Sequence, residues 1–159
     1  MKNVHYNNYE RDFNIIYEGG ISLNKRKLVV LTHGQFGDAL IKSAQMIIGS
    51  MNDVVFVGLD EEDTPESFTE KVKLELGGIS KEILFLVDLY GGTPFHIASY
   101  LLKDFQGEII TGLSLPILIE SYTQYIQNDN QNVSQLIQTG KDSIRNVNRE
   151  LILGGNKSE

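Results

Sequence analysis

The chain has 159 residues, 41% of them hydrophobic and 22% charged, with a formal net charge of −7 and no cysteine. That length makes a single domain able to bury a full core, and the missing cysteines exclude disulfides, thiolate catalysis and cysteine zinc sites, as expected of a cytoplasmic protein. No apolar run reaches the length of a membrane span, and residues 1–27 lack the apolar stretch of a signal peptide.

From Leu28 onward, nine Lys and Arg face eighteen Asp and Glu, a net charge of −9. This argues against nucleic acid and anionic membrane as partners and suits docking of a basic protein. The preceding residues 1–27 are Asn- and Tyr-rich without clear periodicity. Two readings of them stay open: a genuine extension, or a gene-start artefact to about residue 22. Glu18-Gly19-Gly20 is encodable as GAA-GGA-GGA, a bacterial ribosome-binding sequence, and Leu23 as TTG, an alternative start codon. The expected division is extension 1–27, domain 28–155 and tail 156–159.

Within the domain, strand and helix patterns alternate, which predicts βαβ units and a parallel sheet. Leu28–Thr32 is the first strand. A helix follows at about Asp38–Ile48, with Leu40, Ile41, Ala44, Ile47 and Ile48 on one face and Gly49 as its stop. Val54–Val57 is the second strand, and Asp60-Glu61-Glu62-Asp63 an acidic loop. Thr64-Pro65 reads as N-cap and first helical residue of a helix that turns Phe68, Val72 and Leu76 inward and ends at Gly77-Gly78. Ile83–Asp88 is the third strand, and Thr93-Pro94 repeats the capping signal for a helix to about Lys103. Glu108–Thr111 is the fourth strand. Leu115-Pro116 opens a helix through about Ile126, Asn128–Asn132 is a loop, and Val133–Thr139 is helical. Beyond it, Gly140, Ile144, Val147 and Leu151 fit either a continued amphipathic helix or a short strand near Ser143–Asn148. There is no internal repeat.

The chemistry concentrates where two apolar strands end. Leu28-Val29-Val30-Leu31-Thr32 runs into His33-Gly34, and Ile83-Leu84-Phe85-Leu86-Val87 runs into Asp88. In an open α/β sheet, ligands sit at the carboxyl ends of the strands. A histidine in an arbitrary position usually satisfies a backbone group, and a lone strand-end aspartate is often only a turn residue. Together they make a candidate pair. Asp88 would hold one ring nitrogen protonated and leave the other to attack phosphorus.

Gly91-Gly92-Thr93-Pro94, alone a plain turn with a cap, would place helix N–H groups beside an anion. Gly34, Gly91, Gly92, Thr93 and Thr32 are the candidate phosphate contacts, with Gln35 a weaker one. His96 reads as a solvated helix residue, His5 carries no role, and Phe36 and Phe95 read as packing residues or, if exposed, as partner anchors. No metal or other cofactor is expected. Neither a Walker A loop, a nucleophile elbow, a metal-binding His pair nor a dinucleotide fingerprint occurs.

Thr32-His33-Gly34, Leu84-Phe85-Leu86-Val87-Asp88, Gly91-Gly92-Thr93-Pro94-Phe95 and the segment 112–120 closely resemble the EIIA component of mannose-class bacterial phosphotransferase systems. The resemblance covers about Leu28 to Gly140. It implies a three-layer α/β/α fold with a mostly parallel sheet, completed by an antiparallel C-terminal strand exchanged in a homodimer. It also implies phosphorylation of His33 at Nε2, oriented by Asp88, with phosphate received from phospho-HPr. That phosphate would pass to a cognate EIIB serving the membrane subunits EIIC and EIID. The extension departs from the family, and the chain reads as a free-standing EIIA.

Three alternatives remain. One is the phosphotransfer subunit of dihydroxyacetone kinase, which typically follows its histidine with serine rather than Gly34. The others are a phosphorylation-dependent regulatory module and a flavodoxin-like binding domain without chemistry, in which His33 would lie far from Asp88. The sugar is not legible: mannose, fructose, sorbose, glucosamine, gluconate-type and glycan-derived substrates all stay open.

Overall fold

The computed structural model describes residues 27–77, 82–127 and 132–148. Along them, helices follow strands: β1 (Lys27–His33), α1 (Phe36–Ile48), β2 (Val54–Leu59), α2 (Pro65–Leu76), β3 (Glu82–Val87), α3 (Thr93–Leu101), β4 (Gln106–Thr111), α4 (Leu115–Ile126) and α5 (Val133–Asp142). The strands pair in parallel in the order β2-β1-β3-β4.

The two-residue alternation of a strand splits the core into two. Leu28 and Val30 of β1, with Leu84 and Leu86 of β3, pack against Ala44 of α1, Leu118 and Tyr122 of α4 and Leu136 of α5. Val29 and Leu31, with Ile83, Phe85 and Val87, pack on the other side against Phe68 and Val72 of α2 and Ile97 and Leu101 of α3. Both central strands are therefore unbroken apolar runs at residues 28–31 and 83–87, and the domain is a three-layer α/β/α sandwich. From β1 the chain moves outward to β2, then returns past β1 to form β3. That reversal leaves a crevice at the carboxyl ends of β1 and β3, the place where such sheets bind ligands.

Local signals explain the helix ends that flank the crevice. Thr64 and Ser67 cap α2 reciprocally, each hydroxyl accepting the other's backbone N–H, and Pro65 is its first residue. Gly77 closes α2 at φ +57°. For α3, however, the N-cap is Gly92 and not Thr93, which is already the first helical residue. Pro94 thus sits second, a position where its missing N–H is equally harmless. The same shift occurs at α4, where Ser114 is the cap and Pro116 the second residue.

Two expectations about packing need correction. Ile47 and Ile48 stand exposed at the last turn of α1, because the stripe that meets the sheet runs through Gly37, Leu40, Ile41 and Ala44. At the C-terminal end, α5 stops at Asp142; residues 143–146 are neither strand nor helix, and the chain is helical again at Val147 and Asn148, so no strand forms over Ser143–Asn148 within the single chain. Leu151 and the tail lie outside the described residues, as do residues 1–26 of the extension and Asn128 to Gln131 of the loop. Lys27, read as the last residue of the extension, opens β1.

Candidate active site

The parallel register pairs Leu31 with Val87, so Asp88 follows at the level of Thr32 and His33 lies one residue further along, at the same edge of the sheet. Asp88 is fastened by three donors. Its Oδ2 accepts the backbone N–H of His33 at 2.8 Å and lies 2.9 Å from the His33 Nδ1. Its Oδ1 accepts the backbone N–H of Leu89 at 2.8 Å. Because Oδ2 already serves as acceptor for the main chain, the Nδ1 contact is donated by the imidazole. The neutral ring then carries its proton on Nδ1 and its lone pair on Nε2, which has no protein partner among the described residues. His33 is 45% exposed and Asp88 15%, so the nucleophilic edge faces solvent while the orienting carboxylate is set behind it. A binding domain without chemistry would have separated the two residues; here they are in hydrogen-bond contact.

The remaining expected site residues divide into those that build the turns and those that face the ring. Thr32 is fully buried, and its Oγ1 accepts the N–H of Gly37 at 3.0 Å. Its side chain thus shapes the start of α1 and is not available to an anion in the crevice. The reason is pleat direction, which turns the residue before His33 into the protein. Gly34 adopts φ +50° and donates its N–H to Leu59 O at 2.8 Å, tying the His33 turn to the end of β2. Gln35 is the exposed N-cap of α1 and makes no side-chain cap bond.

On the opposite turn, Gly91 takes φ +79°, a conformation that costs L-residues and suits glycine. Gly92 comes so near the His33 ring that a Cβ there would lie 2.8 Å from Cε1 and 3.3 Å from Nε2. Thr93 begins α3, and its first-turn N–H has no helical acceptor. Gly92 therefore lies beside the ring, and Thr93 follows it at a helix N-terminus, where N–H groups and the positive end of the dipole favour an anion.

Sequence reasoning did not single out Leu89 and Tyr90, which follow Asp88 and are 59% and 75% exposed. Their apolar character next to a charged strand end was the available signal. Tyr90 packs on Phe95 at a tilt of 48° with ring centroids 4.8 Å apart, and Phe95 meets His96 edge-on at 5.3 Å. Phe36 is also exposed, on the other turn. The acidic loop enters the same edge from β2, since Leu59 pairs with His33. From α2, Lys71 reaches that loop and bridges Asp60 at 3.0 Å and Asp63 at 2.8 Å. The Lys71 ammonium and the backbone of Asp60 hold the Asp63 carboxyl below its ordinary range, while Asp63 raises the lysine in return. Glu61 and Glu62 are left exposed. Among the described residues, no group of three or more His, Asp or Glu converges as a metal site requires.

The sequence model of the EIIA-man family, described as PTS system fructose IIA component, matches residues 27–138. The chain belongs to this family. Its relatives include the PTS system mannose-specific EIIAB component of Escherichia coli K12, 30% identical over 125 residues, or 74% of this chain and 38% of that protein. The chain therefore spans well under half the length of that relative. The PTS system fructose-specific EIIA component of Bacillus subtilis is 35% identical over 96 residues, covering 58% of this chain and 66% of that one. Among solved structures, the PTS IIA protein associated with the fucose utilization operon of Streptococcus pneumoniae superposes with a TM-score of 0.71 at 28% identity. The match covers 80% of this chain and 96% of that one. The matched residues 27–138 contain both His33 and Asp88. No described helix is long and apolar enough to cross a membrane.

Proposed function

We propose that the chain is a cytoplasmic phosphoryl carrier in which His33 Nε2 accepts a phosphoryl group from phospho-HPr and passes it to a cognate EIIB. The observation that carries this reading is the 2.9 Å contact between His33 Nδ1 and Asp88 Oδ2, which leaves Nε2 unpartnered beside the N-terminus of α3. In the step, the Nε2 lone pair forms a bond to phosphorus as the donor's P–N bond breaks. The bonding pair returns to the donor imidazole. The Nδ1 proton stays where it is, and the positive ring formed on His33 is balanced by Asp88. Transfer onward to EIIB reverses these roles. Gly92, Thr93 and the α3 N-terminus support the phosphoryl oxygens, with Gly34 and Gly91 shaping the turns. Rate enhancement then comes from positioning and charge stabilisation.

Exposed Phe36, Leu89 and Tyr90 around His33 supply an apolar contact, and Glu61 and Glu62 a negative rim. That combination favours a small, transient interface with a basic carrier, whose association slows as salt is added. Through EIIB the chain would serve the membrane subunits EIIC and EIID.

The homodimer expected from the resemblance is part of the same proposal. β4 is one edge of the four described strands, flanked by a cleft of about 270 Å³ lined by residues that include Ile110, Ile117, Ile137 and Ile144. The Ser114 hydroxyl in that cleft is buried without a partner. A C-terminal segment from a second copy, paired antiparallel with β4, would fill it. Light scattering of the purified chain should then give twice the mass of one chain.

The test of the carrier reading is the intact mass of the chain after incubation with phosphoenolpyruvate, enzyme I and HPr. Wild type should gain one acid-labile phosphoryl group and His33→Ala none. An unchanged wild-type mass, with the upstream proteins shown to be active, would overturn the reading.

A further inference from the structure

The glycines of the β3–α3 turn are there for different reasons. Gly91 is demanded by its backbone: at φ +79° an L-residue is strained, yet a Cβ on it would meet nothing within 4 Å. Gly92 is the reverse case. Its φ of −76° and ψ of 172° are ordinary for any residue, so the backbone does not ask for glycine. What asks for it is the His33 ring. A Cβ at Gly92 would stand 2.8 Å from Cε1, well inside contact distance, and 3.3 Å from Nε2; its next neighbour, Leu89 O, lies at 3.5 Å.

From this we infer that Gly92 is a positioning residue for the phosphoryl transfer, and that its bare Cα face is the stop against which the His33 imidazole rests. The inference builds on the carrier reading. Asp88 holds the ring by Nδ1, and Gly92 bounds it at the Cε1 edge. Between them the ring has one setting, with Nε2 directed along the N-terminus of α3. A methyl group at Gly92 has an easy way out, because the part it strikes is the tip of a 45% exposed side chain rather than buried backbone. The ring swings aside, the Nδ1 contact with Asp88 lengthens or breaks, and the fold is spared. Loss of a single tautomer and of alignment follows, and misplacing a reacting atom by about 1 Å can cost on the order of 100-fold in rate.

The experiment compares wild type, Gly92→Ala, His33→Ala and the double variant. Imidazole 15N shifts of the unphosphorylated protein report the tautomer. Single-turnover phosphorylation by phospho-HPr reports the rate, and thermal melts report the fold. Wild type should show one protonated nitrogen at Nδ1. Gly92→Ala should show averaged or exchanged tautomers and phosphorylation slowed at least about tenfold. Any melting change caused by alanine as a poorer N-cap should be the same with and without His33.

Wild-type shifts in Gly92→Ala would overturn the inference, as would a slowed rate with the tautomer unchanged. If wild type itself took no phosphate, the carrier reading would fall, while the 15N shifts would still decide whether Gly92 sets the ring.

Discussion

The β1–α1 turn and the β3–α3 turn face each other across the crevice, and they use their polar groups in opposite ways. On the first, nearly every group is turned inward. Thr32 Oγ1 receives Gly37 N–H, Gly34 N–H reaches Leu59 O, and the His33 backbone N–H goes to Asp88. What is left over is the His33 ring edge and the exposed Gln35 side chain, which makes no cap bond. On the second turn, Asp88 is saturated by inward donors, but the start of α3 lacks a side-chain cap and the Thr93 hydroxyl makes no bond. One turn is rigid and presents a nucleophile; the other is open and presents positive potential. A carrier that must take up and release the same group is served by this division. The nucleophile needs a fixed direction, and the phosphoryl oxygens need donors not already committed elsewhere.

Substitutions in the two turns should therefore fail differently. The largest effect belongs to the contact that joins them. Asp88→Asn removes the charge that balances the phosphorylated ring and should slow single-turnover phosphorylation on the order of 100-fold or more, with a modest change in melting temperature. On the rigid side, Gly58→Ala would drive a Cβ into the backbone carbonyl oxygen of Gly34, and backbone cannot yield as a ring can. We expect a stability loss of about 1–3 kcal/mol by urea denaturation, with slower phosphorylation as a consequence. Thr32→Val leaves the Gly37 N–H unsatisfied in a buried place and should cost about 1–2 kcal/mol while leaving the phosphorylation rate within about twofold. A large rate loss without a stability loss would return Thr32 to the phosphate. On the open side, Thr93→Val should invert that pattern, with stability nearly unchanged and a rate reduced about threefold to tenfold, the scale of one lost hydrogen bond.

The smallest effect concerns the β2–α2 loop at the same edge. Asp63 is held below its reference value of 3.8, so what it contributes to stability is complete above that value and is lost as pH falls through its lower folded pKa. Lys71 is raised above 10.5, so its share is complete below that value and is lost as pH rises past its folded pKa. Lys71→Met should flatten both limbs of the stability profile and leave the neutral-pH phosphorylation rate unchanged.

Much of this was legible in the chain. Unbroken apolar strands ending on His33 and Asp88 announced a parallel sheet with its chemistry at one edge, and the Thr64-Pro65 cap appeared where expected. The remainder depended on direction. A strand end tells that Thr32 and His33 point to opposite faces, but not which of the two looks into the core. Pro94 is compatible with the first or the second helical position, and reading it as the first placed the cap on Thr93, one residue later than Gly92 where the helix begins. The inward stripe of α1 could not be separated from Ile47 and Ile48, because hydrophobicity does not reveal where a covering element stops. The strand order, and with it the adjacency of β1 and β3, rests on long-range pairing that no local pattern encodes. The closeness of Gly92 to the imidazole is likewise a tertiary fact.

The central claim is that Asp88 occupies Nδ1 and so directs chemistry to the other ring nitrogen. Heteronuclear NMR of 15N-histidine-labelled protein, phosphorylated through phosphoenolpyruvate, enzyme I and HPr, tests it most directly. Coupling of phosphorus to Nε2 of His33, with Nδ1 still protonated, is the predicted result. Phosphorus bonded to Nδ1, or to a residue other than His33, would contradict the account.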